Sequence, residues 1–427
     1  MKLITSGDLQ HLATVPSTAI PVLLYQPRGT IPNGGTVGNG LVKAIQALPA
    51  RPSTTAFDFL TIALSVIAAD TFVRRNDAPD NWTRTIELEI AVADPTPWQS
   101  VNTTLEKALS FLSGDIWRFR IVGGGPSCPP VSNKLASEDC VCLFSGGLDS
   151  TLGAIKLTSE GRLPLLVSQA YPREGTIQRS LAKIFGQPLH HFVGNADPKF
   201  SGNNETSMRP RSLLFLACGI LAASSLANSH TPQTKVDVFV PENGLIALNP
   251  PLTRRRLGSH STRTTHPWFL TEIRKVLQKL NLPINLINPF EFETKGEMMA
   301  SSPNPNLLKA HATETVSCGK WKRKRKQCGR CLPCLIRRAA FHHSGITDNT
   351  LYRFPTLSDV KNNPKEHDDL LALALALRKS TSANLDSWVT MGGPLPEDPQ
   401  IRKRYVNVFQ RGMDEMKDYL TAEHCYP

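Results

Sequence analysis

Short apolar runs separated by polar turns fill most of the 427-residue chain, and their period changes along it. The segments 82–92 (WTRTIELEIAV) and 116–122 (IWRFRIV) alternate apolar and polar side chains, which predicts half-buried strands. The stretches 57–75 and 101–112 read as helices, the first apolar nearly all round and therefore buried. The first 50 residues are rich in Gly, Pro, Thr and Val, and 27–40 is dense in turn formers, so irregular structure with short strands is expected there. Together these features predict a small α+β domain over residues 1–135, a candidate module for docking a partner. The stretch 123–139 opens on GGGPS and reads as a linker.

From residue 136 the pattern becomes strand, helix, strand. Apolar runs at 140–144, 163–170, 188–194 and 236–242 alternate with helical stretches from about 150, over 176–185 and over 210–228. Short strands separated by helices predict βαβ units, hence an α/β fold with a parallel sheet, helices on both faces, and a ligand beyond the carboxyl ends of the strands. A helix over 268–280, a strand over 284–288 and a cluster of cysteines complete a predicted domain of residues 136–345. Helical stretches at 369–378 and 399–423 mark a C-terminal helical region, 346–427. No internal repeat is legible.

Composition narrows the class. The chain is 40% hydrophobic and 20% charged, enough for a core, and 48 Lys+Arg against 36 Asp+Glu give a net charge of +12. The longest apolar candidate, 56–69, contains Asp58 and falls short of the roughly 18 residues that a membrane span needs. The first ten residues carry no apolar core of an export signal, so a soluble, cytoplasmic protein without membrane contact is expected. The positive charge suits nucleic acid and anionic substrates equally.

Two motifs carry chemistry. Ser145-Gly-Gly-Leu-Asp-Ser150 follows an apolar strand and opens a helix. Glycines let the backbone approach an anion, the helix N-terminus favours negative charge, and Ser145, Ser150 and Thr151 add hydroxyls. The lysine of a Walker A loop is absent. Cys318, Cys328, Cys331 and Cys334 offer four thiolates, which suits a closed structural Zn2+ site; an iron–sulfur cluster stays open from sequence. Cys128, Cys140, Cys142, Cys218 and Cys425 read as packing or surface residues.

The loop resembles the SGGxDS loop of the PP-loop ATP pyrophosphatases, whose fold is adenine nucleotide alpha hydrolase-like. The loop and cysteines together, with Pro210-Arg211-Ser212 and Glu293-Thr-Lys-Gly-Glu297, resemble the 7-cyano-7-deazaguanine synthase (QueC) family over about 140–341. The stretch 241–267 and the front domain depart from that synthase and look like the QueC-like QatC proteins of the Qat anti-phage defence system. The resemblance implies an ATP-dependent ligase that adenylates 7-carboxy-7-deazaguanine and passes the acyl group to an amine, either ammonia or a partner protein of the same operon.

That resemblance also implies site residues. Ser145, Gly146, Gly147, Leu148, Asp149, Ser150, Thr151 and Val167 are expected at ATP, with Asp149 supporting Mg2+. Lys295 and Arg211 are expected to offset charge at the leaving pyrophosphate; each reads alternatively as a solvated cation. Glu242, Asn243, Arg254, Arg263 and His266 are expected at the deazapurine, the arginines receiving a carboxylate; a solvated or partner-binding loop is the alternative. Lys320–Lys326, six cations around Trp321, suits nucleic acid or a solvated loop. A tRNA-modifying PP-loop enzyme and a non-catalytic ATP-sensing scaffold are the competing functions.

Overall fold

The computed structural model describes residues 1–426 apart from 27–30, 32, 133–135, 171–173, 187–189, 207–208, 230–234, 253–262 and 322–324. Its frame is a pair of parallel sheets. The first is built from β1 (Lys2–Ser6), β2 (Ala19–Leu24), β3 (Gly35–Val37), β4 (Thr85–Ala91) and β5 (Ile116–Val122), in the order β5-β4-β1-β2-β3. The second is built from β6 (Cys140–Leu143), β7 (Pro164–Gln169), β8 (His191–Gly194), β10 (Val236–Phe239) and β11 (Ile284–Ile287), in the order β11-β10-β6-β7-β8. The short β9 (Lys199–Phe200) leaves the second unit and pairs antiparallel with β3 at the edge of the first sheet.

The strands β1–β5 and their helices therefore form an α/β unit, where the sequence pattern predicts α+β. The physical reason lies in the crossovers. Parallel strands need a covering helix between them, and α3 (Thr54–Phe72) supplies it between β3 and β4, with α4 (Asn102–Ser113) between β4 and β5. β1 and β2 fall in the stretch where irregular structure with short strands is expected, and runs of five and six residues are too short to show a period that would place them. Both sheets place their first strand centrally and their fourth beside it, so one topology occurs twice without a legible sequence repeat.

The helices of the second unit are α5 (Leu148–Ser159), α6 (Glu174–Ala182), α7 (Arg211–Ser229), the short α8 (Gly244–Leu248), α9 (Pro267–Lys279), α10 (Lys295–Ala300), α11 (Pro305–His311) and α12 (Leu332–Ser344). α3 and α7 are both 19 residues long and apolar enough to cross a bilayer, which exceeds the length read from the sequence. They pack against one another, and one continuous core runs from Leu3 through α3 and α7 to Leu286. Polar contacts fix the same junction: Ser53 N donates to Ser224 Oγ at 2.9 Å and Asn228 Nδ2 to Arg51 O at 2.8 Å.

The first unit also buries a charge network. Arg75 and Arg84 both reach Asp115, and Arg84 reaches Asp70, all four residues being nearly inaccessible. The C-terminal stretch carries α13 (Leu357–Lys361), α14 (Asp368–Ser380), α15 (Leu385–Thr390) and α16 (Pro399–Ala422). A second core, with Leu245, Leu335, Phe409 and Met413, seats α16 on α8 and α12. The helix is held to the second sheet's loops and is not a free appendage.

Candidate functional site

β6 ends at Leu143 and α5 begins at Leu148, so the loop Phe144–Gly147 stands at the carboxyl end of the sheet's central strand. Gly146 has φ of +78°, a left-handed conformation that glycine adopts without strain, and it turns the chain into the helix. Gly147 N donates to Ser145 Oγ at 3.2 Å, and Ser150 Oγ donates to Gly147 O at 3.0 Å, which folds both serines around the loop. Val316 N donates to Gly146 O at 3.0 Å and Gln178 Nε2 to Ser145 O at 3.0 Å, so α6 and the cysteine segment brace it.

A cleft of about 690 Å³ opens above this loop, between the carboxyl ends of β6 and β10, where the strand order reverses. That is the position at which doubly wound sheets bind ligands, and the volume is that of a small-molecule site. Ser145, Gly146 and Ser150 face it from the loop, Gln169 and Glu174 from the β7 side, and Glu242 and Thr265 from the β10 side. Thr151, Leu148 and Val167 do not. The Thr151 hydroxyl donates to Gly147 O at 2.9 Å, while Leu148 and Val167 are core residues. The corresponding turn after β1 is closed to anions, since Asp8 caps the following helix with its own carboxylate, accepting from Gln10 N at 2.8 Å.

Asp149 lies in the first turn of α5 with its carboxylate turned beneath the cleft. It pairs with Lys295 and accepts from Asn243 N at 3.1 Å and Asn243 Nδ2 at 2.6 Å. Burial pushes this carboxyl up, but the Lys295 charge and the bonds from Glu242 and Asn243 outweigh it and hold it down at about 2. Glu242 is its partner in reverse: burial and the Asp149 charge raise it well above the usual carboxylate range. A carboxyl held low and a carboxyl raised thus stand together, with Glu242 facing the cleft. Neither Asp149 nor Lys295 lines the cleft; both are buried in their ion pair rather than presented to Mg2+ or pyrophosphate. Arg211 does line it, bound to Glu174 at 3.2 Å and to Gln169 O at 3.2 Å.

Two expected substrate residues lie elsewhere. Arg263 Nη1 donates to Phe111 O at 2.9 Å and stacks its guanidinium over that ring, so it packs against the end of α4. His266 is fully buried as the N-cap of α9, its Nδ1 accepting from Trp268 N at 3.2 Å, and burial together with Arg263 lowers it to about 3. Both stand outside the cleft because the helical turn at 263–265 points only Thr264 and Thr265 inward. Asn243, also buried, acts on Asp149 and caps α8. Arg254 lies outside the described residues, as do 322–324 of the basic run; Trp321 faces the cleft and Arg325 and Lys326 are exposed.

The four cysteines converge as their spacing predicts. Their sulfurs lie within 4.8 Å of one another, all buried, with Cys331 as N-cap of α12 and Cys334 in its first turn. Zn–S bonds of about 2.3 Å space tetrahedral sulfurs about 3.8 Å apart. The Cys328–Cys334 and Cys318–Cys331 pairs are each 3.8 Å apart. Cys328 N and Cys331 N donate to Cys318 Sγ and Cys328 Sγ at 3.3 Å, the bonds that thiolates accept. The set fits one Zn2+ rather than a cluster whose thiolates each bind a separate iron. Cys318, Gly319 and Trp321 also form a wall of the cleft, so the metal loop is part of the site's frame.

Several residues here carry no sequence motif. Ser212 Oγ and Thr265 Oγ1 are buried in the cleft lining without a hydrogen-bond partner among the described residues. Arg209 lines the cleft and donates from Nη1 to Ser113 O at 2.8 Å. Glu415 of α16 accepts from the Thr294 hydroxyl and from Gly296 N at 3.3 Å. Its signal was available: 408, 412, 415 and 419 form one apolar helical stripe, and an acid within it demands a partner.

Residues 265–345 match the family model of the queuosine biosynthesis protein QueC. The 7-cyano-7-deazaguanine synthase of Brucella canis is 27% identical over 222 residues, which span 49% of this chain and 91% of the relative. Those of Rhizobium rhizogenes and Paracoccus denitrificans are 26% and 25% identical, each covering 50% of this chain and 92% of the relative. No solved structure matches. The family model over 265–345, the synthase relatives along half its length and a four-thiolate cluster beside a parallel sheet support a QueC-like family for this chain.

Proposed function

We propose that the chain is an ATP-dependent enzyme that forms AMP and pyrophosphate while activating the carboxylate of 7-carboxy-7-deazaguanine and passing the acyl group to an amine. The observation that carries this reading is the opening of the Ser145–Ser150 loop into a cleft that also holds the hydroxyls of Ser212 and Thr265, unpartnered among the described residues. A polyphosphate and a polar heterocycle fill those two requirements together.

The substrate supplies the nucleophile. A carboxylate oxygen attacks the α-phosphorus, the bond to the bridging oxygen breaks, and pyrophosphate leaves with the electron pair. An amine nitrogen then adds to the acyl carbon, AMP departs with the oxygen, and the amine's proton is released. With ammonia the product is the amide; a second ATP, activating the amide oxygen, removes it as AMP and leaves the nitrile. With an amine of a partner protein the reaction ends at the amide. In this reading the backbone of Gly146 and Gly147 and the hydroxyls of Ser145 and Ser150 hold phosphate oxygens, and Mg2+ enters as the counter-ion of ATP. Asp149, Lys295 and Asn243 keep the loop in shape, and Arg211 holds the β7 side of the nucleotide site. The four cysteines hold Zn2+, which fixes the wall that carries Trp321.

A role in an anti-phage operon, with a partner protein as acceptor, rests on the likeness of the 241–267 stretch and the front unit to QatC proteins. ATP–pyrophosphate exchange tests the chemistry. Labelled pyrophosphate should enter ATP only when 7-carboxy-7-deazaguanine is present; exchange that ignores the acid, or none with ATP bound, overturns the reading.

A further inference from the structure

Among the described residues, three cations stand in or beneath the cleft, and two are neutralised by carboxylates. Lys295 is locked to Asp149, and Arg211 is bound to Glu174. Arg209 lines the same cleft and, among the described residues, faces no carboxylate within ion-pair distance. Its guanidinium is held from behind by the first unit. Nη1 donates to the carbonyl of Ser113 at the C-terminal end of α4, and the group lies 4.4 Å from the centre of the Trp82 ring. A helix C-terminus and an aromatic face both favour a cation, so these contacts orient Arg209 without cancelling its charge.

Two further groups ask for a ligand at this place. Ser212, in the first turn of α7, is 7% exposed and Thr265 is 8% exposed; the hydroxyl of each is buried without a partner among the described residues. Burying a hydroxyl without a hydrogen bond costs free energy, so a bound oxygen or nitrogen completes them. A guanidinium fork that lines one cleft with two such hydroxyls suits a planar oxyanion.

The geometry points to Arg209 as the specificity-determining residue of the cleft: its guanidinium receives the substrate's carboxylate, and Trp82 and Ser113 of the first unit hold it in place. The first unit thereby completes the acid-binding end of the site. This rests on the reading of the chain as a carboxylate-activating enzyme.

The test is calorimetry on the full chain with α,β-methylene-ATP present to prevent turnover, using 7-carboxy-7-deazaguanine and its neutral 7-amide as paired probes. Wild-type protein should prefer the acid, and Arg209→Gln should weaken the acid about 10- to 100-fold, the range of a charge-assisted hydrogen bond. Affinity for the amide and for the ATP analogue should stay within about twofold, so the preference for acid over amide collapses. Trp82→Ala should shift the acid in the same direction by a smaller factor, and it carries the test if Arg209→Gln does not fold. Unchanged acid affinity in both variants, or a loss shared equally by the ATP analogue, overturns the assignment alone. Wild-type protein that binds neither deazapurine overturns the functional reading as well.

Discussion

Lys295, the first residue of α10, forms a buried ion pair with Asp149, the second residue of α5, across 146 residues of sequence. The pair ties the phosphate loop to the Thr294–Glu297 motif, and its two members are 4% and 5% exposed. Removing one member of a buried pair leaves the other charge uncompensated, at a cost of about 3–5 kcal/mol. Lys295→Met should therefore lower stability to urea by that amount, and adding Asp149→Asn should restore much of it. Asp149 stands at about 2 against an ordinary 3.8, so its contribution is complete above pH 3.8 and disappears as the pH falls toward 2. A Lys295→Met protein as stable as wild type at pH 7 would contradict the pairing.

Glu242 gives the opposite sign. Burial and the neighbouring Asp149 charge raise its carboxyl well above the ordinary 4.5, so the folded protein keeps the proton that the unfolded chain gives up. This contribution favours folding below pH 4.5 and declines as the pH rises beyond it. Glu242→Gln imitates the protonated acid, and its stability at pH 7 should equal or exceed that of wild type. Urea titrations from pH 4 to 8 check this: the variant should lack the wild-type decline that this carboxyl causes, and an identical slope would refute the protonated state.

The C-terminal helix reaches the same constellation through Glu415, which takes the Thr294 hydroxyl and the Gly296 amide. A Cβ on residue 296 would lie 2.6 Å from Glu415 Oε1, so an alanine there would push the carboxylate away from its two donors. Glu415→Ala leaves two buried donors unpaired and should cost about 1–3 kcal/mol for each that stays dry. Thermal unfolding measures the loss, and Gly296→Ala should show a comparable one; Tm values unchanged in both variants would separate α16 from the loop.

Cysteine thiolates give a direct prediction for metal. The purified protein should carry one Zn2+ per chain in native mass spectrometry, and Cys331→Ser should lower that content. Because Val316 bonds Gly146 and Cys318 walls the cleft, chelation should also weaken ATP binding by at least about tenfold. Full ATP affinity in metal-free, folded protein would detach the cysteine loop from the site.

The second unit is legible in the sequence because each of its strands is a short apolar run bounded by turn residues, and because the Ser145–Ser150 loop and the four cysteines are local motifs. The first unit misleads because its parallel pairing is set by α3 and α4 packing over distant strands, which no local period encodes. The acceptor residues misled for a related reason: Arg263 and His266 sit one turn from the cleft, but their side chains point to Phe111 and into α9. Arg209 and the hydroxyls of Ser212 and Thr265 escape sequence analysis altogether, since only tertiary packing brings α4, α7 and the 263–265 turn together.

The account's central claim is the activation of a deazaguanine carboxylate by ATP. Incubating the full chain with ATP, Mg2+, 7-carboxy-7-deazaguanine and ammonia, and resolving bases and nucleotides by mass spectrometry, tests it most directly. The account predicts AMP, pyrophosphate and an amide or nitrile formed in step with AMP, or an accumulated acyl-adenylate that candidate partner proteins discharge. ATP bound but left intact under all these conditions would contradict it.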